Sequence, residues 1–361
     1  MNDPPIRILL AEDSIIFVSL LKEILSSTHD LEIIQVVDNG EDAVQACAQL
    51  QPDIVLMDVQ MPRLDGLSAT EQIMAQCPTP ILIITADPFQ GGIDISFKAL
   101  SAGALDLYPK TRLNPTQNQH HANQELIAKI RLLSQIPVIR HVRGRRKSTS
   151  TSIHYTKPTR TITPPRSSSP MLIGITSSTG GPKALATICQ NLPANLPATL
   201  LIVQHITHGF TSHLAKWLDA NSPLNALEAT DQMRPKPGSI IIAPGGRHMT
   251  LNNHGTLRLK RPHTSFSGHC PSGDILLKSL ARNAHPDLTL GIILSGMGDD
   301  GAQGLLHMQQ QGCTTIAQDK ESSVVWGMPK VAHQLGASKH LLNPTQIASF
   351  IVEFCAQTPR R

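Results

Sequence analysis

The chain has 361 residues, which at ~150 residues per domain favours two domains, each large enough to bury its own core. Apolar residues make up 40% of it, yet it holds only two Trp, two Tyr and seven Phe, so Ile, Leu, Val and Ala must build the cores. The net charge is +4, and the sequence has no apolar run of the ~18 residues that a membrane span needs.

The first ten residues, MNDPPIRILL, lack the basic start and cleavage site of a secretory signal. The six cysteines are scattered, without a C-x-x-C pair or the spacing of metal ligands, which is typical of free thiols in a reducing compartment. We therefore expect a cytoplasmic protein with no membrane insertion.

Short apolar runs alternate with longer amphipathic ones in the first 134 residues. The runs that predict strands are IRILLA, EIIQVV, DIVLMD, PILIIT and ALDLY. The patterns that predict helices cover residues 14–27, 41–50, 67–76, 92–102 and 121–135. Five strand-then-helix units predict a flavodoxin-like α/β fold, a five-stranded parallel doubly wound sheet whose ligand site lies at the carboxyl ends of the strands.

Chemically useful side chains follow four of these predicted strands. They are Glu12 and Asp13 after the first strand, Asp58 after the third, Thr85 at the end of the fourth and Lys110 after the fifth. Three clustered carboxylates repel one another unless a hard cation such as Mg²⁺ binds among them. A single Asp at a strand end is more often a helix cap or a turn residue, so the prediction of a phosphorylation site rests on the whole set.

The segments AEDS, MDVQMPRLDGL and LSAGALDLYPK, within about residues 5–134, resemble the receiver domains of two-component response regulators. The resemblance implies that Asp58 accepts the phosphoryl group, with Glu12 and Asp13 beside the metal ion. Thr85 would be the switch hydroxyl and Lys110 the partner of the phosphate.

Two departures from the receiver pattern concern the switch. Pro109 precedes Lys110 and Thr111 follows it, whereas receivers usually have proline after the lysine. Leu107 stands where an aromatic residue is often found. Neither departure affects phosphorylation itself, but both leave open how the switch is transmitted.

Residues 135–170 are rich in Ser, Thr, Pro and Arg, and we predict a flexible linker. Residues 134–170 contain eight Lys or Arg and no Asp or Glu. The basic residues would either keep the tether soluble or contact an acidic protein surface, a kinase or anionic lipid.

The positive charge beside a receiver-like domain also suggests a DNA-binding response regulator. However, the C-terminal half shows no helix-turn-helix, and the linker offers only Tyr155 for stacking, so we expect no nucleic-acid partner.

Periodicity resumes at Met171 with the apolar runs MLIGIT, ATLLIVQ, SIIIAP and LTLGIILSG. They predict a second α/β domain over residues 171–361 with a mainly parallel sheet. Three of the runs are followed by reactive residues: the serines of SSTGGP, then His205, then the aspartates of MGDDGAQG.

A serine on a tight turn, a histidine that takes its proton and a carboxylate that orients the histidine form an activated nucleophile. Gly180 and Gly181 allow close backbone approach, and Pro182 suits a first helical position. Spacing alone does not exclude a phosphate-binding or structural turn. It also leaves four rival histidines in place: His208, His213, His248 and His269.

The stretches SSTGGPKAL, IVQHITHGFTSHLAKWLD, GSIIIAPGGRHM, HCPSGDILLKSLA, LSGMGDDGAQG and IAQDKESSVVWGMP are similar to the catalytic domain of the chemotaxis protein-glutamate methylesterases, the CheB family. The resemblance implies Ser178 as nucleophile, His205 as base and Asp300 as its partner. It further implies that the Met297 N–H faces the oxyanion and that Thr179 lies close to the His205 ring.

Departures near this second site concern the strand before the serine and the site rim. Thr176 and Ser177 replace a small glycine–alanine pair. Cys270 stands in place of an arginine, and Thr207 in place of a proline. These changes therefore concern the preferred substrate more than the class of reaction.

The two resemblances together imply phosphorylation-activated hydrolysis of glutamyl methyl esters on methyl-accepting chemoreceptors, with deamidation of receptor glutamines. A chemotaxis histidine kinase would donate the phosphoryl group, Mg²⁺ would assist its transfer, and hydrolysis would need no cofactor. A gated esterase that acts on another protein, and an inactive scaffold, remain as alternatives.

Overall fold

The computed structural model describes residues 4–85, 95–113, 119–138, 171–206, 209–262 and 268–357. The chain divides into two compact units, residues 1–151 and residues 152–361. Each unit has its own sheet.

The first unit contains a five-stranded parallel sheet with strand order β2-β1-β3-β4-β5. Its strands are β1 (Ile6–Ala11), β2 (Leu31–Val37), β3 (Ile54–Met57), β4 (Ile81–Thr85) and β5 (Asp106–Pro109). Its helices are α1 (Ile15–Ser26), α2 (Gly40–Leu50), α3 (Gly66–Gln76), α4 (Ile95–Ala102) and α5 (Gln119–Leu133). This order is the flavodoxin-like one, and it confirms the predicted fold of the first domain.

Polar side chains fix where the helices of the first unit begin. Ser14, Asn39 and Asp65 each accept a backbone N–H bond at the start of α1, α2 and α3. Strands β3 and β4 are buried along their whole length, as expected for strands covered on both faces. The first part of the helix predicted over 92–102 lies outside the described residues.

The second unit contains a seven-stranded parallel sheet with strand order β14-β13-β12-β6-β7-β9-β8, and a separate antiparallel hairpin, β10–β11. Its strands are β6 (Met171–Ser177), β7 (Ala198–Gln204), β8 (Asn225–Glu228), β9 (Ser239–Ile242), β10 (His248–Leu251), β11 (Leu257–Lys260), β12 (Thr289–Ile293), β13 (Thr314–Gln318) and β14 (His340–Leu342). Its helices are α6 (Gly181–Gln190), α7 (Thr211–Ala220), α8 (Gly273–Asn283), α9 (Ala302–Gln310), α10 (Met328–Gln334) and α11 (Pro344–Gln357). The prediction of a mainly parallel sheet is confirmed.

The position of α8 matters most for the site. Gly174 in β6 lets α8 pack closely, because a Cβ at this position would lie 2.5 Å from Leu280 Cδ1 and 2.7 Å from Leu277 Cδ2. Both leucines are fully buried in the core that α8 shares with the sheet. The first turn of α8 is thereby held near the carboxyl end of β6.

The predicted linker lies almost wholly outside the described residues, so its bounds over 135–170 remain a prediction. Helix α5 ends at Leu133 and β6 begins at Met171. Within the described ranges, none of the helices combines the length and the apolar character that crossing a membrane requires.

Candidate active site

The central strands of the second unit carry the three predicted catalytic residues. Strand β6 pairs with β7 on one side and with β12 on the other, and all three run parallel. Ser178 follows β6, His205 follows β7 and Asp300 lies in the loop after β12. Two main-chain hydrogen bonds join these ends: His205 N–H donates to Ser177 O at 2.9 Å, and Ser178 N–H donates to Ser295 O at 3.0 Å.

His205 and Asp300 form a buried hydrogen bond. Nε2 of His205 lies 2.8 Å from Oδ2 of Asp300, and both side chains are largely buried. An ionised carboxylate only accepts hydrogen bonds, so the proton of the neutral imidazole is on Nε2. Nδ1 then carries a lone pair.

Nδ1 of His205 is buried and has no hydrogen-bond partner among the described residues. In the serine proteases the roles of the two ring nitrogens are reversed, since Nδ1 faces the aspartate and Nε2 faces the serine. No hydrogen bond joins Ser178 Oγ to His205 within the described ranges. Such bonds are often long before substrate binds, and a buried lone pair without a partner is suited to accept a proton.

The carboxylate of Asp300 is anchored on the first turn of α8. Its Oδ1 accepts hydrogen bonds from Ser272 Oγ at 2.7 Å and from Asp274 N–H at 3.2 Å. Its Oδ2 accepts one from Gly273 N–H at 2.6 Å in addition to that of His205. Sequence reasoning missed these donors, although Ser272 before an apolar helical pattern is a recognisable N-cap.

These donors keep Asp300 ionised. Burial by itself raises the pKa of Asp300, but the hydrogen bond and charge of His205, with the bonds from Ser272 and Gly273, lower it to about 2. The positive end of the α8 dipole acts in the same direction. Asp300 therefore remains an anion that fixes the orientation of the imidazole.

The two adjacent serines have different environments. Ser177 is fully buried and donates from Oγ to Gln204 Oε1 at 2.6 Å, so its hydroxyl is committed to the fold. Ser178 is half-buried, and its carbonyl accepts from Gln204 Nε2 at 2.8 Å. Gln204 thus fixes the turn that carries Ser178, the predicted nucleophile.

Glycines make this turn possible. Gly180 has φ +78°, and a Cβ there would lie 2.5 Å from Val324 Cβ. A Cβ on Gly181 would lie 2.3 Å from Gln204 Oε1. Gly181 opens α6 and Pro182 follows at the second helical position, one residue later than predicted.

The loop after β12 passes directly over Ser178. A Cβ on Gly296 would lie 2.7 Å from Ser178 Cβ, so only glycine fits at this point. The next residue, Met297, is 49% exposed, and its N–H makes no hydrogen bond within the described part of the chain. Thr179 is buried and its carbonyl accepts from Ser295 Oγ at 2.7 Å, but its predicted proximity to the His205 ring stays a prediction.

The other histidines that could have served as the base differ from His205 in their contacts. His269 stacks on the His205 ring with centroids 4.1 Å apart and 13° between the planes. His248 is buried, and its Nδ1 accepts from Ser272 N–H at 3.2 Å. His213 is held at the start of α7, where its Nδ1 lies 3.0 Å from Gly209 O. His208 lies outside the described residues.

Thr176 is accommodated by glycines on two neighbouring segments. A Cβ on Gly273 would lie 2.1 Å from Thr176 Oγ1, and one on Gly301 would lie 2.4 Å from Thr176 Cγ2. Thr176 is fully buried and its Oγ1 has no hydrogen-bond partner among the described residues.

Of the other two departures from the family pattern, Cys270 is half-buried, and its carbonyl accepts a hydrogen bond from Gly246 N–H at 3.2 Å. Thr207 lies outside the described residues.

The first unit holds the second predicted site. Glu12, Asp13 and Asp58 each offer a carboxylate oxygen, and these oxygens lie within 4.8 Å of one another. Lys110 Nζ lies 2.6 Å from Glu12 Oε2 and 2.8 Å from Asp58 Oδ2. Thr85 is buried at the end of β4, where it pairs with Pro109.

The charges of this cluster favour a divalent cation. Burial raises the pKa of Glu12 and of Asp58, and the hydrogen bond and charge of Lys110 oppose that rise. Two buried carboxylates share one ammonium, and Asp13 adds an exposed negative charge beside them. Oxygen ligands of this kind fit Mg²⁺.

A receiver-type sheet with clustered carboxylates, followed by a larger α/β unit that holds a buried His–Asp pair, is the architecture of a response regulator with an enzymatic output domain. The family model for the response regulator receiver domain matches residues 8–117, and that for the CheB methylesterase matches residues 173–351. The chain belongs to the family of protein-glutamate methylesterase/protein-glutamine glutaminases, as its full-length relatives show.

The relatives match over nearly the whole chain. One is the protein-glutamate methylesterase/protein-glutamine glutaminase 3 of Myxococcus xanthus, 36% identical over 99% of this chain and 96% of its own. Another is the protein-glutamate methylesterase/protein-glutamine glutaminase 2 of Anaeromyxobacter dehalogenans, 38% identical over 96% of each chain. Among solved structures, the Thermotoga maritima CheB methylesterase catalytic domain is 38% identical, covers 52% of this chain and 99% of its own, and gives a TM-score of 0.49.

The unpartnered hydroxyl of Thr176 predicts a stabilising substitution. Thr176→Val replaces the hydroxyl with a methyl group of similar shape and should raise the free energy of unfolding by about 1 kcal/mol. Thr199→Val is the matched control: Thr199 is equally buried, but its Oγ1 donates to Lys236 O at 2.7 Å, so this change should destabilise. Both tryptophans, Trp217 and Trp326, belong to the second unit, so their fluorescence during urea unfolding measures the effect there. A loss of stability in both variants would show that Thr176 Oγ1 has a partner.

The lowered pKa of Asp300 predicts a pH dependence of stability. Its ionised form stabilises the fold fully above the ordinary value of 3.8, and this contribution, about 2 kcal/mol, is lost as the pH falls towards about 2. Asp300→Asn should remove that part of the acid dependence in the same fluorescence measurement. Asp299→Asn makes the same change at the exposed neighbouring side chain and should follow the wild-type curve. Identical curves for both variants would contradict the anchoring role of Asp300.

Proposed function

We propose that the second unit hydrolyses glutamyl methyl esters on chemoreceptors, releasing methanol, and deamidates receptor glutamines with the same residues. The observation that carries the proposal is the buried His205–Asp300 pair beside the turn of Ser178. The second imidazole nitrogen of this pair has no hydrogen-bond partner in the described part of the chain. The family and the names of the relatives support the choice of substrate, since this arrangement of side chains by itself specifies only acyl transfer.

The reaction begins with attack of Ser178 Oγ on the δ-carbonyl carbon of the ester. The hydroxyl proton passes to His205 Nδ1, and Asp300 stabilises the resulting imidazolium through Nε2. Collapse of the tetrahedral intermediate breaks the bond to the methoxy oxygen. Methoxide takes the proton from Nδ1 and leaves as methanol.

Water completes the cycle. His205 Nδ1 accepts a proton from the water that attacks the acyl-enzyme, and then returns it to Ser178 Oγ as glutamate is released. With a glutamine side chain, the first leaving group is ammonia instead of methanol. Both reactions convert a neutral side chain into a carboxylate.

Backbone N–H groups stabilise the oxyanion of the intermediate. The Met297 N–H, above Ser178, is one donor, because no other group in the described part of the chain uses it. The first turn of α6 adds its positive dipole end, since Gly180 and Gly181 lie directly after Ser178 and Thr179.

Phosphorylation of Asp58 controls the reaction. Glu12, Asp13 and Asp58 would hold Mg²⁺, whose charge favours phosphoryl transfer to Asp58. Lys110, already bound to Asp58, would pair with the phosphoryl oxygens, and the Thr85 hydroxyl would donate to them. The modification then shifts the population of the chain towards its hydrolysing state.

A chemotaxis histidine kinase is the phosphodonor of this scheme, and chemoreceptors are the substrate. We place the reaction in the cytoplasm, where the six free cysteines of the chain would remain reduced.

Hydrolysis by the purified full-length chain tests the nucleophile. Ser178→Ala should lower the rate of methanol release from methylated receptor by at least about 10³-fold, because it removes the attacking oxygen. Ser177→Ala, one residue earlier, removes only a hydrogen bond to Gln204 and should retain measurable hydrolysis. Equal rates for Ser178→Ala and wild type would support an inactive scaffold, and release from other methylated proteins alone would support a different substrate.

Control by the receiver is tested with a small phosphodonor, acetyl phosphate. With Mg²⁺ present it should increase methanol release by the wild type, and Asp58→Asn should abolish the increase. Asp65→Asn is the control, because Asn also caps a helix and residue 65 caps α3. An Asp58→Asn enzyme that still responds to the donor would refute phosphorylation at this residue.

A further inference from the structure

A groove of about 620 Å³ lies between the hairpin β10–β11 and helix α8, outside the catalytic residues. Its walls carry five cationic side chains: Arg258, Lys260, Arg261, Lys278 and Arg282. No Asp or Glu is among the described residues that line it. The groove is therefore a concentrated positive surface.

Among the described residues, three of these cations have no acidic partner. Arg258 Nε lies 3.3 Å from Asp231 Oδ1, and Lys278 Nζ lies 3.2 Å from Asp274 Oδ2. Lys260, Arg261 and Arg282, in contrast, form no ion pair within the described ranges and are exposed. Their mutual repulsion would be relieved by an anionic ligand.

The sequence concentrates charge around the hairpin in the same way. Residues 232–273 contain six Lys or Arg and no Asp or Glu, and this stretch spans both strands of the hairpin. Three of the six, Arg258, Lys260 and Arg261, line the groove, and the acids that flank the stretch, Asp231 and Asp274, pair with Arg258 and Lys278.

The groove adjoins the catalytic site through α8. The first turn of α8 holds Asp300, and Lys278 and Arg282 of the same helix line the groove. At 1.5 Å per residue, these two side chains lie about 8 and about 14 Å along the helix from Gly273. His248, which also lines the groove, accepts a hydrogen bond from Ser272 N–H, and Ser272 Oγ donates to Asp300.

The shape and lining of the groove favour carboxylates on a polypeptide over other anions. Among the residues that the structure describes, its lining includes no Phe, Tyr or Trp on which a nucleic acid base could stack. It is concave, and a lipid surface cannot enter a concave groove. The amide of the exposed Asn253 adds a hydrogen-bonding group suited to a peptide, whereas the amides of Asn252 and Asn283 are already bonded within the fold.

We propose that this basic groove binds acidic side chains of the substrate polypeptide that flank the scissile glutamyl group, an inference that rests on the proposed function. Each turnover creates another carboxylate, so a segment with several modifiable side chains becomes more acidic as it is processed. The groove then holds such a segment while its next ester reaches Ser178.

Binding can be measured without turnover. The full-length Ser178→Ala chain is titrated into two fluorescent peptides of equal length, each with one glutamyl methyl ester, flanked by glutamates in one and by glutamines in the other. At low salt the acidic peptide should bind about tenfold more tightly, and the preference should disappear at high salt. The double variant Lys260→Glu/Arg261→Glu should abolish the preference.

The matched control is Lys216→Glu/Lys339→Glu, which makes the same change in net charge at exposed lysines of α7 and of the segment before β14. It should keep the preference of the parent chain. The milder Lys260→Gln/Arg261→Gln should lose part of it, and tryptophan fluorescence verifies that each variant is folded. With Ser178 present, Lys260→Glu/Arg261→Glu should raise KM for the acidic ester about tenfold and leave kcat at the parent value, because it changes binding and not chemistry.

Several results would overturn the proposal. Equal binding of the two peptides would do so, as would an equal loss of preference in the groove variant and the control. Tighter, groove-dependent binding of a single-stranded oligonucleotide or of phosphatidylserine vesicles would assign the groove to those ligands. Acidic-peptide binding that needs the groove, in a chain that hydrolyses no ester, would support the groove and refute the proposed function.

Discussion

The hydrogen bonds between the first turn of α8 and Asp300 are the constraint on which the second site depends. A buried carboxylate is costly unless several donors satisfy it, and this one receives bonds from Ser272, Gly273, Asp274 and His205. The anchored anion then fixes the imidazole ring and assigns its proton to Nε2. The position of α8 is set in turn by Leu277 and Leu280, which pack on Gly174 of β6. Core packing and the geometry of the candidate active site are therefore linked through one helix.

A second carboxylate connects α8 to the loop that carries Asp300. Asp274 Oδ1 accepts hydrogen bonds from Gly301 N–H at 3.0 Å and from Gly304 N–H at 2.7 Å. It thereby caps α9, the helix that begins just after Asp300. Each helix start is held by an acid from the other segment, so α8 and the loop before α9 cannot shift independently.

The sequence predicted which strand ends bring the candidate residues together, but not which atoms meet there. Strand order and the rule for carboxyl ends place Asp58 near Lys110, and the structure brings them into contact. The anchoring of Asp300 could not be predicted, because its donors lie 26 to 28 residues away and depend on how α8 packs. The short strands β8 and β14 were not predicted either, since NALE and HLL at the two sheet edges carry little apolar pattern.

The two sites of the chain show how similar burial leads to opposite pKa changes. Asp300 has four donors, and the pKa of this carboxyl falls to about 2. Asp58 shares Lys110 with Glu12, so burial dominates and the pKa rises. A raised pKa means that the ionised form is disfavoured in the folded state, so added positive charge stabilises the cluster. Asp300 is accordingly held as a fixed anion, whereas the charge balance around Asp58 would change with a bound cation or with the proposed phosphoryl group.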